Sequence, residues 1–366
     1  MSRPQDELHD AQTDLADPGP LGEFLRLCRD HLTKPFRHAD REAIESQRWH
    51  RRVTGGAAVL GGFSLVLAAV NIAMPLLFGP PGILAEAALA VLATILVFTG
   101  ILRGWHGDWL LRRFQAEQLR LAKFRFLVNP DFWCEGAAAA PGPRDRFLRE
   151  IERIEALQEE DLASVAADEN VPTLPSGAAC GSIPDALRLE ILAYYRRQRL
   201  AAQIAYFSAT GRRKRRWYQS PALLPGVFFV SVLCVALHAW AHRVSHSHRG
   251  ESATVTAVTA KTSESAAPAE SRFPQGVEGL GALALALSLG LPGGWAAVRT
   301  WRTANEFGRN RTRSLARFHS LSRVADRLRA QAPAEDVFSD LGLCEHILAA
   351  DQGEWLRLML EAEWYG

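Results

Sequence analysis

The sequence predicts an all-α integral membrane protein with two transmembrane helical hairpins, four spans in total, and long amphipathic cytoplasmic helices. Three observations lead to this prediction. Long stretches of the chain carry almost no Asp, Glu, Lys or Arg, arginines are concentrated on one side of these stretches, and apolar residues recur at helical spacing in the charged segments between them.

Averaged over the whole chain, the composition hides this organisation. The 366 residues are 48% hydrophobic and 22% charged, and the mean hydropathy of −0.06 is that of an ordinary soluble protein of two or three domains. The composition excludes a disordered chain, and 5 cysteines are too few for a disulfide scaffold. Because 42 basic residues meet 40 acidic ones, we expect no nucleic acid as a partner through bulk charge.

The four spans are predicted near residues 54–78, 83–102, 220–241 and 278–298, in nearly uncharged runs. A helix rises about 1.5 Å per residue, so roughly 20 apolar residues cross the ~30 Å hydrocarbon layer. The first two spans are divided at Phe78-Gly-Pro-Pro-Gly82, because two prolines between glycines suit a tight turn rather than a helix. Buried helices of a large soluble core are the alternative, but their uncharged runs are seldom this long.

Basic residues set the expected orientation of the spans. Arginines precede the first span and follow the second and fourth, and a run of five cations precedes the third: Arg212, Arg213, Lys214, Arg215 and Arg216. The positive-inside rule then places both termini and the large middle segment in the cytoplasm. The preference for Arg over Lys is typical of GC-rich bacterial genomes, so we expect a multi-pass protein of the bacterial inner membrane. The polar first 50 residues predict no cleavable signal peptide.

Five regions follow from these spans. They are a cytoplasmic N-terminal helical region at 1–52, the first two-span hairpin with its following helix at 53–128, a linker with a charged helix at 129–184, the second hairpin with the helices before and after it at 185–331, and C-terminal cytoplasmic helices at 332–366.

The charged helices beside the spans are the expected route for a signal. Residues 104–127 place Glu117 among apolar residues on one helix side, residues 187–216 form a second such helix, and Asp145–Glu169 a short charged one. These helices need partners for their apolar stripes, either each other or other subunits. The candidates for a helical relay are Glu117, Arg120, Arg196 and Arg197. For the arginines, a solvated face or anionic lipid headgroups are the alternatives.

Motifs of catalysis are absent from the sequence. It contains no phosphate-binding glycine loop, no GxSxG elbow, no HExxH and no CxxC pair. We therefore expect neither an enzyme nor a bound cofactor.

One group of residues has the spacing of metal ligands. His238, His242 and His246 recur every four residues, so a helix would place them on one side, where imidazoles bind zinc, copper or nickel. The alternative is a polar, His-rich exit from the third span.

Polar residues inside the spans are the membrane-level candidates. Asn71 and Glu86 lie in the first and second predicted spans, where an ionisable group indicates a pathway or a partner. Snorkelling to the surface is the alternative for Glu86, and Asn71 is expected to hydrogen-bond between helices. Close helix approach is expected at Gly61, Gly62, Gly290 and Gly294.

Three short segments carry a resemblance to a known family. They are Trp109-Leu-Leu-Arg-Arg-Phe-Gln-Ala-Glu-Gln-Leu-Arg120 after the first hairpin, Tyr194-Tyr-Arg-Arg-Gln-Arg199 before the second, and the C-terminal Glu354-Trp355 and Glu361-Ala-Glu-Trp364. Together they resemble the SLATT families, the SMODS- and SLOG-associating two-transmembrane effector domains. This chain departs from them in having Phe114 where a Tyr-Arg pair is expected and in having two hairpins.

The resemblance implies a pore-forming or membrane-perturbing effector of a bacterial conflict or antiviral defence system. It implies a homo-oligomer in the lipid bilayer, gated through its cytoplasmic helices by a signalling partner or a nucleotide-dependent trigger. The alternative is a non-enzymatic membrane scaffold that recruits cytoplasmic partners. A transporter is disfavoured because the spans carry few charges, and a membrane enzyme because no acid, base or metal cluster is present on the cytoplasmic side.

Overall fold

The computed structural model describes most of the chain, namely residues 19–73, 75–133, 141–167, 183–212, 223–259, 274–305, 307–330 and 337–363. These residues are almost entirely helical, and no strand occurs among them. They divide into two compact units. We call Met1–His50, Arg103–Lys214 and Glu306–Gly366 the charged unit, and Arg51–Leu102 and Arg215–Asn305 the apolar unit.

The first half of the chain contributes seven α-helices and one π-helical segment to the described residues. They are α1 (Pro20–Leu27), the π-helical segment Cys28–Leu32, α2 (Thr33–Ala73), α3 (Pro75–Leu102), α4 (Trp105–Leu127), α5 (Pro130–Trp133), α6 (Pro141–Glu155) and α7 (Asp161–Ala167).

The second half contributes the remaining described helices. They are α8 (Asp185–Tyr195), the π-helical segment Arg196–Leu200, α9 (Ala201–Arg212), α10 (Leu223–Thr259), α11 (Pro274–Asn305), α12 (Phe307–Ala330) and α13 (Val337–Glu363).

Among the described residues, four helices are long and apolar enough to cross a membrane. Their apolar stretches lie within Pro20–Ala73, Pro80–Leu102, Pro225–Val244 and Gly279–Ala296. These stretches are largely exposed, and only 6% of the second is buried. Apolar side chains left exposed over such lengths require a lipid or protein cover. The chain is therefore an all-α protein with the helices of a membrane protein.

The boundary between the first two spans differs from the expectation. Helix α2 ends at Ala73 and α3 already begins at Pro75, so Phe78-Gly-Pro-Pro-Gly82 lies inside α3 rather than in a turn. Pro75 supplies the fixed φ at the helix start, where a missing N–H costs nothing. Pro80 and Pro81 remove two N–H donors in the next turn but do not end the helix.

The predicted charged helix over Asp145–Glu169 is also divided. Helix α6 ends at Glu155, and α7 begins at Asp161, whose side-chain Oδ2 accepts a hydrogen bond from the Gln158 N–H at 2.8 Å. This is the reciprocal bond of a capping box, in which an acidic side chain of the first helical turn binds the N–H of the residue three positions earlier. The connection between α9 and α10, which holds most of the basic cluster, lies outside the described residues.

Helix α4 is the central helix of the charged unit. Its residues are buried on most sides rather than along one stripe, including Leu110, Phe114, Leu119, Phe124 and Leu127. The core around it draws on α1, α6, α8, α12 and α13, so the apolar faces of these helices cover one another.

The apolar unit is held together by close helix contacts at small residues. A Cβ on Gly100 would lie 3.2 Å from Val53 Cγ1, and one on Gly61 would lie 4.0 Å from Ala93 Cβ, so α2 and α3 run antiparallel in contact. The backbone of α11 approaches α2 at Gly293. Such small residues let helix backbones approach where no hydrophobic effect drives packing.

Candidate functional site

A cavity of about 770 Å³ lies inside the charged unit, between segments of α2, α4, α9, α12 and α13. The charged residues that line it are Asp40, Arg113, Glu117, Arg120, Arg199, Arg313 and Asp351. Its amides are Gln47, Gln203 and Gln352, and its rings are Phe36, Trp109, Tyr206, Phe207 and Trp355. Concave sites of this size with a few placed polar groups among apolar walls are typical of ligand pockets.

Glu117 is the central carboxylate of one cavity wall. It forms an ion pair with Arg113, and its Oε2 accepts a hydrogen bond from Arg120 Nη1 at 2.8 Å. Burial alone would raise the pKa of Glu117, but the charges of Arg113, Arg120 and Arg199 outweigh burial and lower this pKa. Glu117 is therefore an anion that holds the arginines of α4 in place.

A second charged group joins the π-helical segment Arg196–Leu200 to α13. Arg199 Nε and Nη2 donate to the two carboxylate oxygens of Glu345 at 3.0 and 3.1 Å, and the Tyr195 hydroxyl donates to Oε1 at 2.7 Å. Both charged side chains are nearly inaccessible, at 3% and 1% exposure. A bidentate pair with a third donor satisfies both buried charges. The guanidinium also lies 4.6 Å from the centroid of the Phe124 ring.

The third charged group lies between α12 and α13. Asp351 Oδ1 is 3.0 Å from Arg313 Nε and 3.2 Å from Arg317 Nε. Arg317 Nη2 also lies 2.8 Å from Oε2 of a second carboxylate, Glu354. Arg313 and Arg317 share the carboxylate of Asp351. Burial raises the pKa of Asp351 although the two arginines act to lower it.

Two polar side chains of this wall have atoms without a hydrogen-bond partner. Arg313 Nε and Nη1 and Gln352 Oε1 are buried and have no hydrogen-bond partner among the described residues, although Nε lies within ion-pair distance of Asp351. The other end of the Gln352 side chain is occupied, because Nε2 donates to the Phe114 carbonyl at 3.2 Å. A buried polar atom left unpaired costs about 1–3 kcal/mol.

The structure brings two of the four relay candidates together. Glu117 and Arg120 lie in the cavity wall and bind each other. Arg196 is half-buried and Arg197 is exposed, and neither lines the cavity. Arg199, which follows them in the same π-helical segment, is the arginine that does.

Sequence reasoning did not single out Glu345 or Gln352, although a signal for both was present. In α13 the residues Leu341, Glu345, Leu348 and Gln352 recur at intervals of four, three and four, which places a glutamate and an amide on an apolar stripe. The same pattern in α4 had marked Glu117.

The environment of the Cys344 thiol does not favour the reactive thiolate form. Cys344 lies beside the buried pair, where burial raises the pKa of its thiol to about 12. The thiolate is the reactive form, so this thiol is inert at neutral pH.

In the apolar unit, the two membrane-level candidates meet. The Asn71 Nδ2 amide donates a hydrogen bond to Glu86 Oε2 at 3.1 Å, which joins α2 to α3. The Ser64 hydroxyl donates to the Glu86 backbone carbonyl at 3.2 Å. Asn71 and Ser64 of α2 therefore both donate hydrogen bonds to Glu86 of α3.

The structure describes the side chains of two of the three candidate metal ligands, His238 and His242. His238 Nδ1 lies 2.8 Å from the Gly281 carbonyl, its ring centroid is 6.3 Å from that of His242, and the side chain of His246 lies outside the described residues. No group of three His, Cys, Asp or Glu side chains with metal-binding geometry occurs in the part of the chain that the structure describes.

The predicted basic cluster is described at its first residue alone. The Arg212 guanidinium lies 5.4 Å from the centroid of the Phe318 ring, which attaches the end of α9 to α12. Arg213, Lys214, Arg215 and Arg216 lie outside the described residues, and their effect on topology stays a prediction.

Comparison with known proteins finds no matching family model, no matching curated protein and no matching solved structure. The resemblance to SLATT effectors therefore rests on the short segments quoted above.

Proposed function

We propose that the protein is a SLATT-like effector of the bacterial inner membrane that forms a pore or perturbs the bilayer when its cytoplasmic helices receive a signal. The observation that carries this proposal is the hydrogen bond between Asn71 and Glu86, which joins two apolar helices in the unit that contains the candidate spans. Two hairpins that assemble with copies of themselves would form the membrane part.

A carboxyl group among apolar helices is costly unless it finds a polar partner or water. Asn71 supplies that partner in the arrangement that the structure describes. If the hairpins separate, Glu86 requires water instead, and a wetted path through the spans meets this requirement. The pair therefore stabilises a closed arrangement, and the signal shifts the population toward an open one.

The size of this bias follows from hydrogen bonds measured between membrane helices. Such a bond contributes about 0.6 kcal/mol on average and at most about 1.7 kcal/mol. Its loss changes a two-state population about 3- to 18-fold. This range is large enough to detect as a change in ion leak and small enough to leave the fold intact.

The test is ion flux from liposomes that contain the purified protein, with the Asn71→Leu variant beside the wild type. We expect the variant to leak about 3- to 18-fold faster without any trigger. Thr94→Ala is the matched control, because the Thr94 hydroxyl bonds to the Ala90 carbonyl of its own helix and its removal leaves the contact between helices unchanged.

Equal flux from Asn71→Leu and Thr94→Ala would contradict a gating role of the pair. A wild type and variants that pass no ions under any condition, and that instead capture cytoplasmic proteins, would replace the effector by the alternative scaffold.

A further inference from the structure

We propose that the cavity of the charged unit is a binding site for a small aromatic organic anion that also carries a hydroxyl or N–H group. The unpaired polar atoms of two side chains, Arg313 and Gln352, indicate the chemistry of the two ends of this ligand, and the rings of the cavity wall indicate the chemistry of its body. No feature of the sequence alone assigns this site.

The guanidinium of Arg313 indicates that one end of the ligand is an anion. Its Nη1 is buried and has no hydrogen-bond partner in the part of the chain that the structure describes. The carboxylate that pairs with Arg313 there, Asp351, also binds Arg317. A guanidinium N–H that has lost water and has no acceptor favours an oxygen anion, and arginine binds carboxylate or phosphate with good geometry.

The donor end of the ligand is set by Gln352. This side chain is 93% buried, since 7% of its surface is accessible. Gln352 is one of the lining residues of the cavity. Its orientation is fixed by the bond from Nε2 to the Phe114 carbonyl, so its unpaired atom is the oxygen Oε1. An amide oxygen accepts only, and it requires a hydroxyl or an N–H.

The body of the ligand is set by size and by aromatic lining. A volume of about 770 Å³ is within the range of small-molecule sites. Trp109, Phe207 and Trp355 line it beside the charged residues, and flat rings offer a planar ligand both apolar contact and stacking.

The other arginines of the cavity lining also bind carboxylates: Arg113 and Arg120 bind Glu117, and Arg199 binds Glu345.

Binding at this site does not depend on membrane permeability. A regulatory role for the ligand does rest on the proposed function, since α2 and α4 belong to the helices through which gating is proposed. Two separate measurements, binding and flux, therefore distinguish failure of this site from failure of the effector proposal.

The experiment measures binding of 4-hydroxybenzoate, benzoate, phenol and phenyl phosphate to the full-length protein in lipid nanodiscs, by saturation-transfer NMR. We expect saturable binding of 4-hydroxybenzoate, weaker binding of benzoate and phenyl phosphate because they lack the donor, and no saturable binding of phenol because it lacks the anion.

Variants assign each end of the ligand. Arg313→Met is expected to weaken 4-hydroxybenzoate binding at least tenfold and Arg313→Lys to restore part of it. Gln352→Leu is expected to remove the preference for 4-hydroxybenzoate over benzoate. Arg329→Gln is the matched control, because Arg329 lies on the same helix and is exposed, 3.4 Å from Asp326.

The proposal is overturned if no anionic probe binds saturably, which would leave a cavity filled with water alone, or if Arg313→Met and Arg329→Gln bind equally. If the variants melt at the same temperature as the wild type, a loss of binding is not caused by unfolding. Binding that leaves liposome ion flux unchanged would retain the site and contradict its regulatory role.

Discussion

Arg199 and Glu345 show how a single residue pair stabilises the charged unit. They lie 146 residues apart in the chain and form two hydrogen bonds at 3.0 and 3.1 Å with almost no solvent contact. Removing one partner of such a buried pair leaves the other as an uncompensated charge, which costs more than the pair itself contributes.

Glu345→Leu is therefore expected to lower the free energy of unfolding by about 3–5 kcal/mol. Thermal or denaturant unfolding followed by tryptophan fluorescence measures this loss. The double variant Arg199→Met with Glu345→Leu is expected to be more stable than Glu345→Leu alone, since it removes the orphaned charge.

Arg329→Gln is the control for the buried pair. Its exposed ion pair with Asp326 contributes about 0–1 kcal/mol, so the variant should unfold close to the wild type. A double variant that is less stable than Glu345→Leu would show that Arg199 stabilises the unit through other contacts, such as the one with Phe124.

Two titratable residues of the charged unit predict sensitivity to acid. Burial lowers the pKa of His106 below its ordinary value of 6.5, and the arginines around Glu117 lower the pKa of Glu117 below 4.5. In both cases the unfolded chain binds the proton more tightly than the folded one, so stability falls as pH decreases.

Stability against denaturant is expected to be complete above pH 6.5 and to decrease as the pH falls from 6.5 through the folded pKa of His106, with a second loss below pH 4.5 from Glu117. Measurement of unfolding midpoints between pH 7.5 and 4 checks this. His106→Gln should reduce the slope in the upper part of this range and Glu117→Gln the slope in the lower part, and unchanged slopes would contradict the assignment.

Among the elements, α11 shows which of two adjacent glycines carries a contact. A Cβ on Gly293 would lie 3.1 Å from Leu65 Cβ of α2, whereas one on Gly294 would have no atom within 4 Å. The sequence pattern had favoured Gly290 and Gly294 for close approach. A Cβ on Gly290 would lie 3.7 Å from Ala69 Cβ of α2, so Gly290 does face this helix, but Gly293 rather than Gly294 is the tight position.

Gly293→Val is expected to lower the stability of the apolar unit by about 1–3 kcal/mol, because the added methyl groups overpack the contact with Leu65. Gly294→Val is the matched control and should leave the stability nearly unchanged. Melting temperatures in detergent measure both. Equal melting temperatures would show that α11 does not approach α2 at this point.

At the scale of the whole molecule, two unlike populations of helices explain the average composition. Helices with nearly uncharged stretches form the apolar unit, and helices rich in arginine and glutamate form the charged unit. Their sum is a formal net charge of +2. The average therefore describes neither unit.

Orientation is the prediction that belongs to this scale. A fluorescent protein fused after Gly366 is expected to fluoresce inside the cell, and alkaline phosphatase inserted at Ser265 is expected to be active outside the cytoplasm, because the basic flanks hold both termini inside. An active phosphatase fused at the C-terminus would reverse the predicted topology.

The sequence by itself determined the helical class and the four apolar helices, because periodicity and the length of uncharged runs are local properties of a chain. The single buried stripe expected around Glu117 is not what the structure has, since α4 is buried on most of its sides. The sequence also misplaced the turn between the first two spans, because two adjacent prolines usually interrupt a helix, whereas α3 begins at Pro75 and continues through Pro80 and Pro81.

Only the tertiary structure decided the partners of the polar residues. Asn71 and Glu86 were each predicted as polar candidates, but their mutual hydrogen bond depends on the antiparallel contact of α2 and α3. The cavity with Arg313 and Gln352 requires helices from four distant parts of the chain. Pairing between distant segments follows from how whole helices pack, which no local pattern of residues specifies.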